Sequence, residues 1–204
     1  MNSDYSKKVL VDTSALIYEK SSNAKVHKKV LSSINNQETA IIKIDENSEL
    51  NTIPKLNNVE ILVLEGVYIN ELGAHPKGTY LKLSNENELH VKTINGCKIF
   101  RKINYFENDE KLIINTNSSP WQQGHGNLKV MPLDSQSALV LWPKDERFIP
   151  HSHWGGEEIL VLSGRFMDEH GVYPKDTWIR SPHRSFHTPF VEEETLIYVK
   201  TGHI

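Results

Sequence analysis

The sequence predicts an all-β protein made of two tandem copies of one unit, each a sandwich or barrel of short strands. Three observations carry that expectation: a long internal repeat, short apolar runs closed by glycine, and turn residues recurring at roughly 8–12-residue intervals. Residues 60 to 82, EILVLEGVYINELGAHPKGTYLK, align without a gap to residues 158 to 180, EILVLSGRFMDEHGVYPKDTWIR, at an offset of 98. Glu60 to Leu64 recur as Glu158 to Leu162, and Gly66, Gly73, Pro76 and Thr79 recur as Gly164, Gly171, Pro174 and Thr177. A fainter echo relates VLVDTSALIY (9–18) to LIINTNSSPW (112–121). The division is therefore placed at 1–108 and 109–204, with the join in the polar stretch FENDEK.

Taken in order, the elements are mostly strands. The stretch 22–34, SNAKVHKKVLSSI, is the best helical candidate, although it is polar and short. EILVLEG (60–66) and EILVLSG (158–164) have the length and glycine boundary of buried strands. GVYINELGAH and GRFMDEHGVY place amide or acidic residues before a glycine, as hairpins do. SALVLWP (137–143), DTWIRSP (176–182) and ETLIYVKT (194–201) are short runs of branched and aromatic residues, favoured in strands.

Composition narrows the function classes. A formal charge of −3 over 204 residues gives no electrostatic case for nucleic acid or an anionic membrane. Asp12, Thr13 and Ser14 interrupt the only apolar run near the start, so no secretory signal is expected. Cys97 is the single cysteine, which excludes an internal disulfide and a thiolate zinc cluster, and a cytoplasmic setting is expected.

The chemistry concentrates in HSHWGGEEILVLSG (151–164). A strand puts residues i and i+2 on one face, so His151 and His153 project together. Trp154, Gly155 and Gly156 can reverse the chain and bring Glu157 beside them. Two imidazoles and a carboxylate from adjacent strands suit a divalent metal, and His187 is the candidate fourth ligand. An isolated H-x-H among ten histidines is more often incidental than ligating. The ordered set H-x-H-x3-E-x6-G, then a proline turn and His187, is specific. His183 shares the parity of His187 and competes with it if the strand is unbroken; His170 reads as an exposed hairpin tip and His125 as a loop residue.

This pattern resembles the cupin superfamily, and HSHWGGEEILVLSGRFMDEHGVYPKDTWIRSPHRSFHTP is similar to the ChrR-like cupin group. The resemblance implies two tandem double-stranded β-helix (jelly-roll) barrels. It implies one divalent metal in the C-terminal barrel, on His151, His153, Glu157 and His187: zinc first, with iron, manganese or nickel as alternatives. Trp154, Tyr173, Trp178 and Phe186 would line its pocket. Position 184 is Arg where a glycine is common, and Asp176 stands where the first repeat has Gly78; Arg184 is expected in a surface turn. In the first repeat Ile53, Lys55, Val59 and Leu89 occupy the ligand positions, with His90 one residue away, so that copy is expected to lack the metal.

Some members of this group are anti-sigma factors with a zinc-binding helical domain ahead of the cupin. No His/Cys zinc motif precedes the first repeat here, so direct sigma-factor capture is not expected. The expected function is sensing or processing of a small molecule or oxidant. The alternatives are a metal-dependent dioxygenase cleaving a ketone or diketone C–C bond, and a metal-free small-molecule or carbohydrate-binding module. Edge strands of such barrels often pair, and by that analogy a homodimer is expected.

Overall fold

The computed structural model describes residues 1–20, 23–50, 58–84, 90–107 and 111–204. Ile53, Lys55 and Leu89, three of the first-repeat ligand positions, lie outside them. Every regular element among the described residues is a β-strand, and no helix is long and apolar enough to cross a membrane.

Two compact units divide the chain: Met1–Ser3 with Leu16–Ser119, and Asp4–Ala15 with Pro120–Ile204. In the first, the main sheet runs in the order Lys111–Asn115, Thr79–Ser84, Asn58–Asn70, Cys97–Ile103, Gln37–Ile44, Val26–Ile34, Glu19–Lys20. In the second, the order is Val9–Asp12, Thr177–Ser181, Glu157–Ser163, Thr195–Thr201, Ser137–Trp142, Lys129–Pro132, Gln122–Gln123. Each unit is a jelly-roll barrel built from the same repeated strands.

Alternation along the strands explains each core. Val59, Ile61 and Val63 enter the first core cluster with Leu81, Leu83 and Ile99. Ile159, Val161, Ile179 and Ile197 do the same in the second, closed by Trp142, Phe166 and Tyr173. Burying each such aliphatic side chain contributes about 1.5–3 kcal/mol relative to exposure. Within the helical candidate 22–34, Val26–Ile34 is instead a strand paired antiparallel to Gln37–Ile44, and residue 22 lies outside the described residues. Asn35 turns the chain at φ +50°, a conformation that asparagine tolerates, so the hairpin overrides the weak helical pattern.

The edge strands exchange partners relative to the order of the repeats. Lys111–Asn115 pairs with Thr79–Ser84 of the first unit, and Val9–Asp12 pairs with Thr177–Ser181 of the second. The two junctions are alike in detail. Thr13 donates its backbone N–H to Asp176 O at 2.9 Å, and Thr116 donates to Gly78 O at 3.0 Å. Their hydroxyls bond the same carbonyls. The echo between 9–18 and 112–121 is thus one structural role played twice, each time closing the unit that holds the other repeat's strands.

Gly66 and Gly164 sit at matching bends with φ of +71° and +72°. A Cβ there would lie 2.1 Å from Gly96 O or 2.4 Å from Glu194 O, which accounts for glycine at both positions.

Candidate metal centre

His151–Ser152 and Phe186–His187 form a short antiparallel pair in which His151 and His187 are direct partners. Cross-strand partners share a face, so both imidazoles project together. His153 extends the same line, its N–H bonded to Ser185 O at 3.2 Å. Gly155 and Gly156 then turn the chain at φ +72° and +71°. This turn is held by Gly202 N–H to Gly156 O and Ile204 N–H to Gly155 O, where any side chain at 155 would strike Gly202. The chain enters Glu157–Ser163 with Glu157 on the same face as Ile159 and Val161, facing inward.

Ligand atoms of His151, His153 and His187 all lie within 4.8 Å of one another, the metal-competent group of three found among the described residues. Glu157 joins them. Its Oε1 is 3.2 Å from His153 Nε2 and its Oε2 is 3.6 Å from His187 Nε2. The two Nε2 atoms are 3.1 Å apart. His151 donates Nδ1–H to Ile149 O at 2.9 Å, which leaves its Nε2 lone pair free. Burial pushes His153 down to about 4, with His151 and His187 adding to the effect, and burial also lowers His151. Burial pushes Glu157 up to about 7, against the pull of His187 and with Asp168 adding to the rise. Imidazole nitrogens and a buried carboxylate thus converge on one another. A divalent cation satisfies such a donor set, so the residues fit a metal.

These groups form one wall of a cavity of about 270 Å³. The rest of the lining is mainly apolar: Leu128, Val140, Trp142, Phe148, Ile197 and Val199, with His125 and Thr201. His125, read as a loop residue, packs its ring 4.8 Å from Phe148, which in turn lies 4.8 Å from the His151 ring.

None of the four aromatic candidates lines this cavity. Trp154 is 67% exposed, with the Arg184 guanidinium 4.3 Å from its ring centroid, and Phe186 is 56% exposed. Trp178 is buried on the other face of its strand, because the register pairs it with Leu160 and not with inward-facing Ile159; its Nε1–H bonds Glu158 at 2.9 Å. Tyr173 is buried in the core and donates to Asp168 at 2.6 Å. Trp142 and Phe148 take the lining role, and no motif in the sequence marked them. His183 Nδ1 accepts the Gly155 N–H at 2.8 Å, which removes it as a competing ligand. Arg184 occupies a turn at φ +60°.

In the first unit Val59, which corresponds to Glu157, is a core residue. No comparable His/Cys/Asp/Glu group occurs there among the described residues.

Among solved structures, the fold is similar to a candidate dioxygenase from Nostoc punctiforme, with 14% identity, a TM-score of 0.81, and 96% of this chain and 82% of that one covered. It is similar to the bacterial pirin of Escherichia coli in complex with nickel(II), with 10% identity, a TM-score of 0.68, and coverage of 95% and 97%. A cupin 2 conserved barrel domain protein from Leptotrichia buccalis matches with 14% identity, a TM-score of 0.64, and coverage of 95% and 96%. No curated protein sequence matches. Residues 6–107 and 109–204 each match the ChrR Cupin-like domain, and the chain belongs to that family.

Proposed function

We propose that the C-terminal unit binds one divalent metal ion through His151, His153, Glu157 and His187, and that a small molecule meets it in the adjoining cavity. The observation that carries this reading is the placement of four converging ligand groups on one wall of an otherwise apolar chamber. A site of about 270 Å³ takes a compact molecule with an apolar body. A short ketone or diketone fits that description, and dioxygenase-type cleavage is the reaction class we favour.

A redox-active ion bound here would supply Lewis acidity and a place for substrate and oxygen to meet. The chain's own residues confine the guest, exclude water through Leu128, Val140, Phe148 and Ile197, and keep Glu157 as a ligand, not a free base. Oxygen uptake by iron-reconstituted protein with short diketones tests this; no uptake above the His187→Ala variant would overturn the oxygenase reading. One observation favours a second reading. Four protein ligands can close a tetrahedral zinc shell, which suits sensing better than turnover. Zinc as the native metal, with no oxygen uptake, would select it.

The pH dependence of loading has a defined sign. Glu157 sits at about 7 without metal, so below that pH it must lose a proton to ligate, whereas His153, at about 4, is already neutral. The apparent binding constant is expected to rise roughly tenfold per pH unit from 5 to about 7 and then flatten. Titration calorimetry at pH 6 in buffers of different ionisation enthalpy should show about one proton released per ion bound. No proton release would contradict this role for Glu157.

A further inference from the structure

The hairpin of Arg165–Asp168 and Gly171–Pro174 carries a carboxylate that the ligand set does not use. Asp168, 2% exposed at its side chain, accepts Tyr173 O–H at 2.6 Å and His170 N–H at 2.8 Å on Oδ1. Its Oδ2 faces two cationic or N–H groups: Lys8 Nζ at 3.2 Å and His187 Nδ1 at 3.6 Å, just beyond hydrogen-bonding range. His187 thus has Asp168 behind one ring nitrogen and Glu157 and His153 before the other.

The first unit supplies a natural comparison. Its equivalent hairpin has Asn70 where the second has Asp168, and His75 where the second has Tyr173. Asn70 Oδ1 makes the matching bonds, to Leu72 N–H at 2.9 Å and His75 Nε2 at 2.8 Å. Its other atom, Nδ2, is buried without a hydrogen-bond partner among the described residues. The hairpin therefore folds with an amide, and the second oxygen of Asp168 serves something outside the hairpin. Lys111, which matches Lys8 in the strand echo, is exposed in the first unit.

We propose that Asp168 is the outer carboxylate that holds the His187 imidazole in its ligating orientation, and that Lys8, delivered by the N-terminal segment Asp4–Ala15, clamps Asp168 in place. Both are positioning residues, and the inference rests on the metal reading above. Outer carboxylates fix the tautomer and direction of a ligating histidine, and their loss typically weakens metal affinity about 10–100-fold. Lys8 also keeps Asp168 from being a buried charge with no cationic partner.

The test uses the full chain, stripped of metal and titrated with cobalt(II) against a chromophoric chelator. Asp168→Asn, which copies the sister hairpin, is expected to bind cobalt about 10–100-fold more weakly and to alter its visible d–d bands, while the metal-free protein keeps its melting temperature. Lys8→Met is expected to lose less, Lys8→Arg to restore binding, and Lys8→Met/Asp168→Asn to bind no worse than Asp168→Asn alone. Wild-type affinity and bands in Asp168→Asn would overturn the proposal while leaving the metal site intact. Additive losses in the double variant would overturn the action of Lys8 through Asp168. If Asp168→Asn fails to fold, the Lys8→Met and Lys8→Arg pair decides, since unchanged affinity in both would refute the clamp. A wild type that binds no more cobalt than His187→Ala would bring down the metal reading and this inference together.

Discussion

Purified without chelator or nickel resin, the protein is expected to carry about one divalent ion per chain, and the His151→Ala/His187→Ala variant none. The double change removes both members of a direct cross-strand pair and leaves His153 and Glu157 facing each other at 3.2 Å. On the proposed four-ligand reading, the two groups left do not hold a divalent ion against water. The affinity loss should exceed about a thousandfold, well beyond what losing an outer partner would cost. Elemental analysis reads the result, and the element itself separates the two functional readings: iron points to oxygen chemistry, zinc to sensing. Metal-free wild type that also takes up no added ion would remove the site.

The largest effect on stability is expected at Gly66→Ala. A methyl group there would sit 2.1 Å from Gly96 O, a backbone atom that cannot swing aside, on a residue already at φ +71°. The left-handed conformation costs an L-residue about 1–2 kcal/mol, and forced overpacking adds about 1–3. A loss of roughly 3–4 kcal/mol, or about 10 °C in melting temperature, follows. Gly126→Ala is the control. It has φ +61°, but its close neighbour is the carboxylate end of the half-buried Glu146 side chain and not backbone, so only about 1 kcal/mol is expected. Equal losses in the two variants, read by urea unfolding, would show that backbone crowding at Gly66 is not the cause.

The architecture was legible because duplication wrote it twice. An offset of 98 aligned strands, bends and hairpins together, and the structure repeats them down to the φ values of Gly66 and Gly164. The convergence of these side chains was legible for a local reason, since H-x-H on a strand and a Gly-Gly turn before Glu157 need little knowledge of the rest of the chain. Register was not local. Trp178 looked like a pocket residue until its pairing with Leu160 turned it to the far face, a choice that a one-residue shift would reverse. Trp142 and Phe148 line the cavity from separate segments, and neither lies within a recognisable motif. Lys8 and Asp168 are 160 residues apart, and only the folded chain brings them together. The polar run at 22–34 was read by helical period, whereas the turn at Asn35 decided its structure.

The exchanged edge strands carry a consequence for how the protein is made. A ribosome makes Val9–Asp12 long before its partner Thr177–Ser181, whereas Lys111–Asn115 follows closely on Thr79–Ser84. The first barrel can therefore close while synthesis continues, and the second must wait with its earliest-made edge unsatisfied. A nascent chain that stops early never assembles the histidine wall, and a fragment begun late lacks both an edge strand and Lys8. The topology makes completion of the second barrel depend on segments made both before and after the strands of the first.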